Sequence, residues 1–281
     1  MGGNAQDTPE EDALLVLTAA MLTPGGFPGV LGDDYPAACA GLGLEPLAGG
    51  YGLVFGQDSA GARWTVVTSD AAMVACALAA WDCGLAYELA PDESTMVASL
   101  PGWPLPVAVS APGVPEPHDP DGAPDAGPVL APPDTSVWGP PQRRLGADEI
   151  AVRWLEWRDQ VGPAAAGPQG ARGDDSPASP AASADPRAAL GAISHDGVRR
   201  ALESAEAYTR EPPPPGRVRT AYGAVRADGP GWSLVARTDD MAFVLLDEEP
   251  GEVLPVGRGA ALPPLLEALS RLAAAEVSPA S

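Results

Sequence analysis

Lysine is absent from all 281 residues, so each of the 16 basic side chains is an arginine. Asparagine occurs once, at Asn4, and isoleucine twice, while alanine, glycine and proline abound. That imbalance is what a GC-rich coding sequence produces, and it describes the genome more than the activity. Histidine is nearly as scarce. His118 falls in a proline-rich stretch and His195 beside a helix start, which leaves little for acid–base chemistry near neutral pH. Three cysteines, Cys39, Cys76 and Cys83, are an odd number without metal-ligand spacing, so neither a disulfide framework nor a zinc site is expected. On one helix, Cys76 and Cys83 would stand about 10 Å apart at ~1.5 Å per residue, too far to bridge. Reduced, buried thiols in a reducing compartment are the expectation.

Long apolar runs are missing too. Ala13 to Leu22 is too short to span a bilayer, and the residues before it are acidic where an export signal carries positive charge, so a cytoplasmic location is expected and a membrane is not. No glycine-rich phosphate loop, nucleophile elbow, zinc-protease helix or calcium loop occurs, so no cofactor, metal ligand or catalytic residue is assigned. The acid pairs Asp33-Asp34, Asp92-Glu93 and Asp239-Asp240 fall in predicted turns and read as solvated. Arg172-Gly173-Asp174 matches an adhesion tripeptide but has no exported setting here.

What is present is negative charge, −22 in all and unevenly spread. Residues 1–110 hold 13 acids against Arg63 alone, 111–216 hold 16 against 9, and 217–281 hold 9 against 6. Such a field repels nucleic-acid backbones and anionic lipid and draws in basic partners. Proline (34) and glycine (33) are dense enough that part of the length is low in complexity.

The patterning predicts an α+β protein of two small segments, with antiparallel hairpin or meander sheets and flanking helices. Thr8, Pro9 and Glu11 form a capping-box start for a helix carrying Leu14, Leu15, Leu17 and Met21. A helical turn is expected at Tyr35 to Ala40. Tyr51–Phe55 and Arg63–Thr68 alternate as a hairpin, Asp70 caps a helix over Ala71–Trp81, and Leu85–Leu89 reads as a third strand. These elements make an acidic N-terminal segment, 1–100. Thirteen prolines between Pro101 and Gly146 predict an extended linker over 101–147. An amphipathic helix comes next over 148–161, with Asp148 as cap, then a second flexible linker over 162–185. The C-terminal segment, 186–281, reads as a short helix at Asp185-Pro186, a helix capped by Ser194 with a Val198, Leu202, Ala205 and Tyr208 stripe, a meander over 220–256, and a last helix with Leu265, Leu266, Leu269 and Leu272 inward.

Two blocks invite overlay, Trp64 to Met73 and Trp232 to Met241, each preceded by a Tyr-Gly pair, at Tyr51 and Tyr222. An internal duplication is one reading; the shared preferences of any two half-buried hairpins are the other.

The helix over 148–161 is the strongest functional candidate. With Trp154, Leu155 and Trp157 as apolar anchors and Arg153 and Arg158 at the rim, tethered on both sides, it has the form of a segment that docks into a groove. Its structural alternative is that it completes a core of its own chain. The expected function is accordingly non-enzymatic protein binding, as an adaptor or as an immunity-like or chaperone-like protein masking another protein, which would be basic if the anionic segment is the binding face. The alternatives are an enzyme using a Cys or carboxylate in a cleft between the segments, and a structural subunit of a larger assembly.

Overall fold

The computed structural model describes residues 14–120, 127–161, 193–238, 241–257, 259 and 261–277. It shows an α+β protein whose described residues form two antiparallel sheets and six α-helices. The chain divides into two compact units, one of residues 1–31 and 47–134, the other of 32–46 and 135–281.

The first unit is a four-stranded meander in the order β1 (Leu15–Leu22), β2 (Tyr51–Gln57), β3 (Arg63–Thr68) and β4 (Met96–Pro101). Residues 15–22 are therefore a strand, correcting the helix expected there; the proposed cap at Thr8 lies outside the described residues. Leu, Ala and Met favour a helix locally, but pairing along β2 from Leu15↔Gln57 to Leu22↔Tyr51 engages the β2-facing backbone groups and places Ala19 and Leu22 in the interior. The central strand β2 is buried throughout. Its Gly52 is a packing requirement, since a Cβ there would lie 2.4 Å from a methyl of Val74. Helix α2 (Ala71–Asp82), capped by the Asp70 side chain as expected, lies over β1 and β2 and buries Val74 and Ala77 against Ala19, Val54, Val66 and Leu89.

Leu85–Leu89 is not a strand. Gly84 closes α2 at φ 72, and the Leu85 N–H donates to the Ala80 carbonyl, 2.9 Å. The fourth strand comes later, after a short 3₁₀ turn at Glu93–Thr95 capped by Asp92. Beyond it, the proline-rich stretch is extended as its composition predicts, yet held in place within this unit. Trp103 donates through Nε1 to the Gly56 carbonyl (3.1 Å), and buried Gln57 receives the Ala111 N–H (2.5 Å) and donates to the Pro115 carbonyl (3.3 Å). A polar side chain in the interior thus ties down chain that has few donors of its own.

The second unit has three layers. Its five-stranded meander runs β5 (Val218–Ala221), β6 (Ala224–Gly229), β7 (Trp232–Thr238), β8 (Met241–Leu246) and β9 (Leu254–Gly257). The expected meander over 220–256 begins two residues earlier, at Val218, and makes its first turn at Tyr222-Gly223, both with positive φ (53 and 74). Two-residue hairpins of this kind usually use Asn-Gly, and tyrosine hid the signal. One sheet face is packed by α5 (Asp196–Arg210) and α6 (Leu262–Val277), which bury Val198, Leu202, Leu265, Leu266 and Leu269 against Ala227, Leu234, Ala236 and Val244. The other face is packed by α3 (Pro140–Val152) and α4 (Trp154–Val161). The short helix α1 (Tyr35–Ala40), capped by Asp34, belongs to this unit too.

The Trp64 and Trp232 blocks sit in different local settings. After β3 the chain enters α2, whereas after β7 it returns as β8. Tyr51-Gly52 opens a strand and Tyr222-Gly223 is a turn, so the likeness is that of two half-buried strands.

Candidate binding surfaces

The densest polar chemistry lies inside the second unit. Alternate residues of β6 place Arg226 and Asp228 on the face that also carries Ser233 of β7, and α3 brings Arg143 and Asp148 to it. Arg226 is wholly buried; it donates to Asp228 (2.6 Å) and Asp148 (2.8 Å) and lies 3.7 Å from Asp33. Arg219 donates to the other oxygen of Asp228 (2.5 Å). Asp33 accepts from Arg143 Nε (2.9 Å) and from the Ser233 hydroxyl (2.7 Å), while Arg143 also pairs with Asp247. Beside it Asp34 caps α1 and pairs with Arg217 at 3.2 Å.

Asp33 and Asp34 are thus buried, 1% and 3% exposed, where a turn pair was expected to be solvated. Nothing local marks Asp33, whose partners Arg143, Arg226 and Ser233 are more than a hundred residues away in the sequence, whereas Asp34 also has a local partner in the Ala37 N–H. Burial, and then the charge of Asp228, push Asp33 up to about 7 against the pull of Arg226 and Arg143. Asp228 goes the other way, held below the ordinary carboxylate range by Arg226 and Arg219 despite its burial. Burial, with Arg219 close by, lowers Arg144 to about 10. These opposite charges face each other and are engaged inside the unit. The arrangement can hold segment 32–46, α3 and the sheet in one register; it offers no open face for a substrate.

The expected docking helix is divided and partly internal. The prolines Pro140 and Pro141, read as breakers, occupy the first helical positions of α3, where no N–H is needed, so Asp148 sits in mid-helix and not at a cap. The helical path is interrupted at Arg153 and resumes at Trp154. Trp154 is 1% exposed and meets Phe243 edge-on at 5.2 Å; Trp157 meets the same ring at 6.4 Å. Both belong to a core with Ile150, Val235 and Leu245. Leu155 points away, 66% exposed. Arg153 is engaged by Glu149 (2.9 Å) and Glu156 (2.5 Å), and Arg158 is exposed. The five residues do not converge on one surface: the tryptophans anchor the helix inward, and Leu155 and Arg153 remain outside.

The first unit is far more one-sided in charge. Its residues hold fifteen acids and one arginine, a balance of −14. That arginine, Arg63, is engaged by Asp119 and lies 5.6 Å from the Trp103 ring centroid. Asp70 and Asp92 are spent on caps, and Asp58 accepts from the Trp64 indole at 3.1 Å. Asp82, Glu88 and Glu93 are exposed. Among them are apolar side chains open to water: Leu85 (63%), Tyr87 (38%), Met96 (43%) and Val97 (48%). Asp82 ends α2 at the negative pole of the helix, where a basic side chain would be favourable and none occurs in the last turn.

The scarce cysteines and histidines are divided between interior and surface, and the burial expected of the thiols holds for Cys39 alone. Cys39 is buried in α1 with its thiol pushed up by burial; Cys76 and Cys83 are exposed on and after α2. His195, not Ser194, caps α5, its Nδ1 accepting from the Val198 N–H (3.3 Å) while Nε2 meets Glu249. Among the described residues no group of three or more His, Cys, Asp or Glu could hold a metal ion, and no helix is long and apolar enough to cross a membrane. Asp239, Asp240 and the Arg172-Gly173-Asp174 tripeptide lie outside the described residues. Comparison with family models, with curated proteins and with solved structures found no match to the chain.

Proposed function

We propose that this is a cytoplasmic, non-enzymatic protein-binding protein that masks or carries a basic partner, with the first unit as its recognition surface. The observation that carries this reading is the charge balance of that unit: fifteen acids against one already engaged arginine. Its exposed acids stand on the same short stretch as exposed Leu85, Tyr87, Met96 and Val97. Apolar contacts hold a partner on, and unpaired charge selects its sign and speeds its arrival. The docking-helix version of the idea is weaker, because Trp154 and Trp157, the residues best suited to dominate an interface, already pack on Phe243.

The test is affinity capture from cells of the source organism with the full chain and with an Asp82→Asn, Glu88→Gln, Glu93→Gln variant. Proteins of high isoelectric point should be retained by the wild type, released as the Debye length shrinks from about 10 Å at 0.1 M salt to about 3 Å at 1 M, and retained several-fold less by the variant. A retained set indifferent to salt and to the variant would sink the reading.

A further inference from the structure

Exposed sheet edges are templates for further strands, and proteins blunt them with proline, charge, brevity or cover. Three of the four edges here are treated in that way. β4 ends in Pro101, whose carbonyl receives the Leu130 N–H at 2.7 Å, with a bridge between Gly102 and Leu130 beside it. β5 has four residues, including Arg219; β9 has four, including Pro255. The fourth edge is β1, eight residues reading Leu-Val-Leu-Thr-Ala-Ala-Met-Leu, with no charge and no proline. Only β2 pairs with it among the described residues. Its one irregularity falls between Val16 and Thr18, leaving Thr18–Leu22 in unbroken register. In an antiparallel pair alternate residues direct both N–H and C=O away from the partner, so about four residues of β1 present them outward.

A second observation concerns what lies above this edge. α2 packs over β1 and β2, and its sequence carries no charge from Ala71 to Trp81. Its apolar character is not confined to the buried side: Ala72, Cys76 and Ala79 are exposed, and Met73, Leu78 and Trp81 half-buried. A helix apolar all round is normally an interior helix. An added strand beside β1 would meet hydrogen-bonding groups along its length and, on the side of the sheet that α2 covers, would continue a layer whose helix is apolar on its exposed side as well.

We infer that the outer edge of β1 is a strand-addition site that receives an extended segment of a partner protein, apolar at alternate positions and flanked by Arg or Lys. The alternation follows from the two-residue period of a strand continuing a sheet of which one face is covered by apolar α2, and the flanking charge from the −14 balance of this unit. The inference rests on the reading of this chain as the binder of a basic protein, and it names where and how that protein is held.

The probe is a synthetic peptide of alternating Val and Thr with an Arg pair at each end, added to the full-length chain and followed by fluorescence anisotropy and backbone amide exchange. Two kinds of control accompany it: the same peptide N-methylated at alternate residues, one for each parity, and a peptide with Glu in place of Arg at both ends. The inference expects fast exchange of the outward β1 amides in the free chain, about tenfold slowing with the peptide, and a loss of affinity of about tenfold or more in one N-methylated parity. Salt-sensitive binding that neither N-methylation weakens, with β1 exchange unchanged, would overturn strand addition and leave the basic-partner reading standing. Slowed β1 exchange with equal affinity for Arg-flanked and Glu-flanked peptides would overturn that shared premise. β1 amides already slow in the free chain, or a dimer in sedimentation, would mean that the edge is filled by this chain's own residues or by a second copy, and would overturn the proposal outright.

Discussion

The two units handle charge in opposite ways. The second, with fifteen arginines and twenty-three acids, turns part of that charge inward, where Arg226, Arg219 and Arg143 meet Asp228, Asp148 and Asp33. The first has one arginine and leaves Asp82, Glu88 and Glu93 in water. Charge consumed inside a fold specifies that fold, and charge left outside is available to something else. The contrast gives one set of carboxylates a structural role and is the basis for proposing an intermolecular role for the other, and it can be broken at several points.

The largest effect should come from removing a cation inside the second unit. Arg226→Met leaves Asp228 and Asp148 without their shared donor, and breaking a buried pair from one side typically costs about 3–5 kcal/mol. Chemical denaturation followed by tryptophan fluorescence should show that loss, and Arg226→Met with Asp228→Asn, which removes the orphaned charge and keeps an oxygen for Arg219, should recover part of it. A single variant as stable as the wild type would mean that the network does not hold the unit together.

Trp154 and Leu155 are adjacent in sequence and opposite in environment. Trp154→Ala opens a hole beside Phe243 and Ile150 and should cost about 3–5 kcal/mol, whereas Leu155→Ala should change stability by less than about 0.5 kcal/mol. Equal, small effects would restore the helix as a free docking element.

These residues also show what sequence reading reaches. The hairpin β2–β3, α2 with its Asp70 cap, and the last helix with its leucines are legible because alternation, capping and helical spacing are local signals. Residues 15–22 were not, because their helix propensity is overridden by pairing with a strand that starts almost thirty residues later. At Pro140-Pro141, proline means a break or a first turn according to whether the residues after it can continue a helix. Of the five proposed docking residues, the pattern correctly marks an amphipathic helix, but an amphipathic stripe looks the same whether it meets its own core or another protein. The charge network was invisible: Asp33, Arg143, Arg226 and Ser233 are linked only by the folded sheet. The acidity of the first unit was legible outright, since composition needs no fold to be counted.

The pH dependence of stability sharpens the contrast through Asp33. Its carboxyl, at about 7 in the folded chain against an ordinary 3.8, binds a proton in the folded state that the unfolded chain has released between those values. Its contribution is therefore full below 3.8 and is lost as pH rises through about 7. Asp228, held low, acts in the opposite sense: its contribution is present above 3.8 and lost as pH falls through its folded value, so the two windows are separate. Denaturation midpoints measured from pH 4 to pH 8 should decline for the wild type and decline less for Asp33→Asn, which keeps the shape without the titration. Parallel profiles would show that Asp33 stays charged and that Arg143 and Arg226 dominate it.

The smallest effect belongs to the first unit, and it carries the most weight for function. Glu88 and Glu93 are exposed, and the ion pairs that would make them structural are absent among the described residues, so Glu88→Gln with Glu93→Gln should move the thermal midpoint by no more than about 0.5 kcal/mol permits. Removing two like charges from a unit so rich in acids should even stabilise it slightly, most visibly at low salt, where self-repulsion is least screened. If neutralising these acids instead costs stability, they are part of the fold after all, and the division between charge spent inside and charge held for a partner fails in the unit where it was proposed to matter.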